Sequence, residues 1–273
     1  MKDLMQYGKA KGIVLLQKYL PKLSPFQSID MVSNLDEWNA IKDKFGDFVP
    51  NRVDYPIGAS RKNAIAGTNG FTSGIPELLE KVNTQSENGV VLLLPLKETV
   101  EVPPRYEDEG GFNVLFNMGS SILIELVGQG FDGHEVTQGL ANHERYVIPW
   151  SEVLFIRNRK DMLKNSIVEK SHVKPEEYAK QRQERVRFLH EVVGYDLATI
   201  EAKIPQQYSL VPEDIIEALL NDVVLELMQK SGMLQMDGLT RFGVQGNIIN
   251  ETIQPWEIFR GERFMKKQIE MER

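Results

Sequence analysis

A chain of 273 residues, 41% hydrophobic and 26% charged, can bury one large core or two modest ones and has the composition of a globular protein. Its formal charge of -7 argues against nucleic-acid binding driven by net charge, and the lack of cysteine excludes disulfides and thiolate chemistry. No apolar run approaches the roughly 20 residues of a membrane span, and the opening MKDLMQYGKAKG is too polar for a signal peptide, so a cytoplasmic protein without nucleic-acid or membrane partners is expected.

Residues 3 to 20 place Leu4, Tyr7, Ile13, Leu16 and Leu20 near a helical period, and Pro21 stops the run. A short strand over 27 to 32 precedes a marked helix start, with Asn34 as N-cap and Glu37 three residues on. Leu35, Trp38, Ile41 and Phe45 form that helix's buried stripe, and Gly46 closes it. Residues 51 to 59 read as extended and polar; Arg52, Asp54 and the following Arg61 are candidates for contacts to an acceptor substrate. A Gly/Ser/Thr-rich loop from 65 to 74 leads into a helix with Pro76 in its first turn. Such a loop can bind phosphate through backbone N–H groups or simply connect, and it matches neither glycine-rich phosphate fingerprint.

Val90 to Leu94 is a continuous apolar run between Asn88-Gly89 and Pro95, the pattern of a central strand, and Lys97 stands just beyond it. Residues 99 to 111 read as a polar, mobile loop containing Arg105, either a lid or solvated surface. From Phe112 the sequence FNVLFNMGSSILIELV predicts a hairpin, with Met118-Gly119-Ser120 as the turn. Glu125 is the lone carboxylate of its second strand, so it sits at a wet end or is held by a partner. Gly128, Gly130 and Gly133 then open the backbone ahead of His134-Glu135, a loop that either approaches a ligand or turns a corner.

Residues 145 to 148 and 153 to 156 read as strands around Pro149-Trp150. Residues 159 to 194 are charge-rich and helical with a break at 172 to 175, and Lys180, Arg182, Arg185 and Arg187 read as a solvated face. Pro212 opens the most apolar helix, striped by Ile215, Ile216, Leu219, Leu220, Val223, Val224, Leu227 and Met228, with Ser231-Gly232 as its cap. Beyond it, residues 233 to 236, 242 to 244, 247 to 253 and 256 to 259 read as short extended pieces, and the tail from Glu262 as charged helix.

Three of these segments resemble the ATP-grasp family. Ile122 to Gly128 with Glu125, followed by Glu135, resembles that family's strand with a nucleotide-contacting carboxylate; Val90 to Leu94 with Lys97 is similar to its lysine strand. Gln235 to Gly238 and Ile248 to Thr252 resemble its acidic pair, although Asn250 precedes Glu251 where the family has an asparagine after it. The resemblance implies ATP and Mg²⁺ as cofactors, Lys97 and Arg105 at the phosphates, and Glu125, Gly128, Gly130 and Glu135 around the nucleotide. It further implies Asp237 with Glu251 at the metal, and phosphoryl transfer to a small carboxylate followed by condensation.

The expected fold is α/β in the broad sense (α+β). A sheet-containing part spans 1 to 157, a helical part 158 to 232, and a small β segment with a tail 233 to 273, closing back on the sheet. Beside the ligase reading stand a non-catalytic small-ligand-binding protein and a helical interaction module, with homo-oligomerisation open. A metal hydrolase using Asp132, His134, His143 and Glu144 is a further alternative, though the spacing matches no established ligand set.

Overall fold

The structure, a computed structural model, describes residues 3–59, 70–85, 88–100, 104–133, 144–152, 169–171 and 174–260. Helices alternate with two antiparallel sheets, an α+β arrangement, and the chain divides into two units. One comprises Met1–Lys18 and Ser24–Glu101, the other Tyr19–Leu23 and Val102–Arg273. No helix among the described residues is long and apolar enough to cross a membrane.

In the first unit β3 (Val90–Leu93) lies between β1 (Asp30–Val32) and β2 (Asn51–Asp54), and all four of its residues are buried. The unbroken apolar run has this cause: a middle strand covered on both faces has no polar side to show. Helix α2 (Leu35–Ile41) starts as its sequence requires. Asn34 Oδ1 accepts from Glu37 N–H at 2.9 Å, and Glu37 reaches back to accept from Ser33 N–H at 2.7 Å. Helix α3 (Ile75–Gln85) turns Ile75, Leu78, Leu79 and Val82 into a core shared with Trp38, Val53 and Leu93.

Helix α1 (Gly8–Tyr19) opens without an N-cap of its own making. Asp54, fully buried at the end of β2, supplies one: its Oδ2 accepts from Lys9 N–H at 2.8 Å and Ala10 N–H at 2.9 Å, and its Oδ1 from Tyr55 N–H. A carboxylate at the positive end of a helix satisfies two of the orphan donors there. Lys9 Nζ donates to Val53 O at 3.0 Å and closes the clip from the other side.

The second unit is built on a six-stranded sheet in the order β7-β6-β5-β4-β8-β9. The predicted hairpin forms its middle: β4 (Gly110–Asn117) and β5 (Ser121–Val127) meet around Gly119, whose φ of 85° requires glycine. β6 (Glu144–Pro149) pairs with β5, and β7 (Glu169–Ser171) with β6. The two C-terminal strands extend this sheet. β8 (Arg241–Ile249) pairs with β4, and β9 (Thr252–Arg260) with β8. One face carries the core residues Phe112, Val114, Phe116, Ile122, Ile124, Ile148, Val244 and Ile258, all buried. Phe116 and Phe242 stack across the β4–β8 pair at 4.6 Å.

Helices α4 (Pro175–Glu191), α5 (Leu197–Lys203) and α6 (Glu213–Ala218) follow; α6 continues through a π-helical stretch, Leu219–Leu225, into α7 (Glu226–Gln229). Three expectations need correction. Residues 233 to 236 are helical, within α8 (Ser231–Met236), because Leu234 and Leu239 find buried places that an extended chain would leave unfilled. The short C-terminal pieces are two nine-residue strands around Asn250 and Glu251, both with positive φ as a two-residue hairpin requires. Residues 108 to 111 are no mobile loop. Asp108 O accepts from Gly130 N–H, Glu109 N–H donates to Ile248 O, and β4 has begun by Gly110.

Burial holds the Asp54 carboxyl above the usual carboxylate range, offset in part by the N–H donors of Ala10, Tyr55 and Lys9 and the Lys9 charge. A raised folded-state pKa means stability present at acid pH and lost as pH rises through that pKa. Asp54→Ala is expected to destabilise the protein by about 1–3 kcal/mol. The melting-temperature advantage of the wild type over Asp54→Asn is expected to be larger near pH 4 than at pH 7, read by thermal melts across that range.

Candidate functional site

Residues directly opposite one another in a ladder project from the same face of a sheet. On the face away from the core, the register aligns Arg145 with Glu125, Glu125 with Asn113, Asn113 with Gln245, and Gln245 with Glu257. Five strands thus contribute one polar side chain each to an unbroken row. Asn113 is fully buried and Gln245 nearly so; Arg145, Glu125 and Glu257 are half-buried. Gln245 Nε2 donates to Glu257 Oε1 at 2.7 Å.

Glu257 joins the row through a β-bulge. From the hairpin turn upward Ile248 faces Ile253, Asn247 faces Gln254 and Gly246 faces Pro255, so the next pair would be Gln245 with Trp256. The register shifts between Gln245 and Gly246 and sets Glu257 opposite Gln245 instead. Gly246 makes the shift possible: a Cβ there would lie 2.3 Å from Gln254 O and 2.7 Å from Pro255 Cα.

The glycine loop after β5 packs against the chain itself. A Cβ on Gly128 would lie 2.6 Å from Ser209 O, one on Gly130 2.9 Å from Ile204 Cγ1, and one on Gly133 2.4 Å from Gly246 O. Polar groups fix the same loop. Arg185, 3% exposed, donates from Nε to Gly130 O at 2.9 Å and lies 3.9 Å from Asp132 Oδ2. Gly133 N–H donates to Asn247 Oδ1, and Asn247 Nδ2 to Asp108 Oδ2 at 3.0 Å. Arg185 and Arg182 therefore leave the solvated face expected of them; Arg182 donates to Glu201 O, Ile204 O and Pro205 O at the end of α5. Arg185 shares a helical stripe with the buried Tyr178, Val186 and Leu189, a pattern readable in the sequence had the charges not masked it.

Glu144, 1% exposed, is a second fixed point. Its Oε2 accepts from Tyr146 OH at 2.6 Å, and its Oε1 from Tyr208 OH and Val211 N–H, both at 2.9 Å. Burial first, and then the Glu144 charge, push both phenols well above their ordinary pKa, so they stay protonated as donors. Tyr208 stacks edge-on with Tyr178, and Tyr178 packs on Phe131 of the glycine loop. A carboxylate with three donors already seated on it is a structural anchor, which removes Glu144 from the hydrolase set.

The remaining candidate residues fall in several places. Glu125 lies at the centre of the row. Asp54 caps α1 and is not presented to a substrate. Arg52 is half-buried on β2, and Lys97 follows β3 with its N–H donated to Pro25 O, both in the first unit. Arg105 begins the 3-10 turn Arg105–Glu107. Arg61, Glu135, His134 and His143 lie outside the described residues.

Asp237 and Glu251 are not brought together, and the predicted metal pair has to be corrected. Asp237 follows α8 and accepts from Tyr19 OH at 2.5 Å, at the β8 end where Gln235 meets Met118. Glu251 occupies the hairpin turn at the other end, its N–H donated to Glu109 Oε2. The nine residues of β8 separate the two ends by roughly 26 Å at about 3.3 Å per residue, whereas Mg²⁺ ligands lie about 2 Å from the ion. Among the described residues no group of three or more His, Asp or Glu side chains is disposed to hold a metal ion.

Comparison with known proteins adds no assignment: no protein-family model matches the chain, and no curated protein matches it.

Filling of the space beside Gly128 by Ser209 predicts that Gly128→Ala destabilises the ligand-free protein by about 1–3 kcal/mol. A chemical-denaturation curve without ligand reads this directly; unchanged stability would mean that the loop is open at that point.

Proposed function

We propose that the second unit holds a nucleotide with its Mg²⁺ counter-ion on the face bearing the polar row, and that the protein is an ATP-grasp-like ligase or phosphoryl-transfer enzyme acting on a small carboxylate. The row itself carries this reading: five polar side chains in register on five adjacent strands, with a bulge that adds the last carboxylate. An ordinary packed face would carry apolar side chains at those positions, as Val114, Ile124, Val244 and Ile258 do on the opposite face of the same strands.

The chemistry of the row suits a polyanion with hydroxyl groups. Arg145 offers a planar guanidinium for a phosphate or carboxylate, Glu125 accepts from hydroxyl or amino groups, and Gln245 can both donate and accept, while the fully buried Asn113 lies beneath them in the row. Mg²⁺ usually takes one or two protein carboxylates and completes its shell with phosphate oxygens and water. Glu257 beside the Gln245 carboxamide fits that pattern, and Asp237 with Glu251 does not. When bound, the ion would offset phosphate charge. The chain's own contribution would be to position the phosphates and the acceptor carboxylate in line, since phosphoryl transfer depends on positioning and charge neutralisation more than on a protein nucleophile.

Millimolar ATP with Mg²⁺ is expected to raise the melting temperature, and Glu125→Gln and Glu257→Gln are each expected to weaken ATP binding by about tenfold or more. The absence of any nucleotide-dependent shift, or a shift that survives both substitutions, would contradict the assignment. Release of ADP in the presence of a carboxylate acceptor separates the enzyme from a protein that only holds the ligand.

A further inference from the structure

The first unit carries a chemically labile pair that the proposed nucleotide site does not involve. Asn88 stands exposed at a turn in the connection from α3 to β3, and Gly89 behind it is buried. Packing fixes the glycine: a Cβ at that position would lie 2.3 Å from Val82 Cγ1 and 3.1 Å from Tyr55 Cε1. Among the described residues Gly89 N–H donates to no acceptor. The peptide group joining the two residues is held from its other side. Tyr7, a buried residue, donates from its OH to Asn88 O at 3.4 Å.

Where glycine follows asparagine, no side chain on the second residue hinders its backbone nitrogen from reaching the side-chain amide. The nitrogen must first give up its proton, and the charge left behind is shared with the carbonyl oxygen of the same peptide. A donor aimed at that oxygen stabilises the charge as it develops. The bond is long at rest and is of the kind that shortens and strengthens when its acceptor becomes anionic. Burial first, and then the carboxylates of Asp54 and Glu37, hold the Tyr7 phenol above its ordinary pKa, so it remains a donor.

We propose that Asn88–Gly89 is a self-modification site, in which the Tyr7 hydroxyl promotes attack of Gly89 N on Asn88 Cγ. The new N–C bond closes a succinimide ring, the Cγ–Nδ2 bond breaks, and ammonia leaves with a proton from water. Water then opens the ring at either carbonyl, giving aspartate or isoaspartate at position 88. An isoaspartyl link adds a methylene to the backbone just ahead of Val90, which pairs with Asp54, the residue that caps α1. Modification therefore acts on the strand pair that anchors the cap.

Incubation of the full chain at mildly alkaline pH, followed by mass-spectrometric mapping of the tryptic fragment 82 to 97, tests the site. The fragment also contains Asn83, which precedes Thr84 and serves as an internal control. Amide loss is expected at Asn88 and not at Asn83, mostly as isoaspartate, and Asn88→Gln is expected to abolish it. Tyr7→Phe, shown to be folded by its melting curve, is expected to slow the loss about threefold or more, the effect of one hydrogen bond, and to leave the rate in urea unchanged. An Asn88 amide that persists in the folded wild type while the urea-unfolded chain loses it would overturn the site. An unchanged rate in folded Tyr7→Phe would overturn the part given to the hydroxyl. If Tyr7→Phe does not fold, the wild type decides: loss in the folded chain at least as fast as in urea supports assistance by the fold, and slower loss overturns it.

Discussion

The second unit depends on the register of β4 between its two neighbours. Side chains alternate faces along a strand, so a slip of one residue would exchange the buried Phe112, Val114 and Phe116 for Asn113, Leu115 and Asn117. The apolar face sets the register, because each of those three large side chains is worth about 1.5–3 kcal/mol buried rather than exposed. The polar row follows from the same constraint, since fixing the core face in place aligns Arg145, Glu125, Asn113 and Gln245 on the other. Only Glu257 needs an additional device, and the bulge beside Gly246 supplies it.

The end of the sheet is held by contacts among buried polar groups. Arg185, Asn247 and Asp108 fasten the loop from Gly128 to Gly133, and Glu144 ties β6 to the segment carrying Tyr208 and Val211. Each bond contributes modestly, yet removing one partner strands the other away from water, which costs about 1–3 kcal/mol per neutral group and more for a charge. The glycines serve the same packing. They leave room where the carbonyls of Ser209 and Gly246 and the Ile204 side chain crowd in, a role that a glycine-rich sequence shares with a ligand loop and that composition alone does not distinguish.

Much of the local structure was legible because its causes are local. The Asn34–Glu37 capping box, the apolar run of β3, the Gly119 turn and the helix opening at Pro212 all rest on neighbours within a few positions. The site was less legible because its causes lie far apart in sequence. Asp54 looks available for a substrate until α1 arrives from 44 positions upstream to occupy its Oδ2, with Oδ1 held by Tyr55 N–H. Asp237 and Glu251 look like a pair by spacing alone; the strand between them holds them at opposite ends. Glu257 escaped notice because the strand pattern of 256 to 259 gives no sign of a bulge, which arises from the pairing with Gly246. Glu125 reads in the sequence as a carboxylate at a wet end or held by a partner, and of its neighbours across the sheet, residues 113 and 145, the second lies on a strand that the sequence does not pair with it.

The central claim is that a ligand lies on the polar row. Its most direct test is the side-chain amide NMR signals of Asn113 and Gln245, assigned by substitution and followed on addition of Mg²⁺ and ATP. Saturable shifts of both signals, lost in the Glu257→Gln variant, are predicted. Signals that stay fixed while resonances elsewhere in the protein move with ATP would place the ligand away from this face and contradict the account.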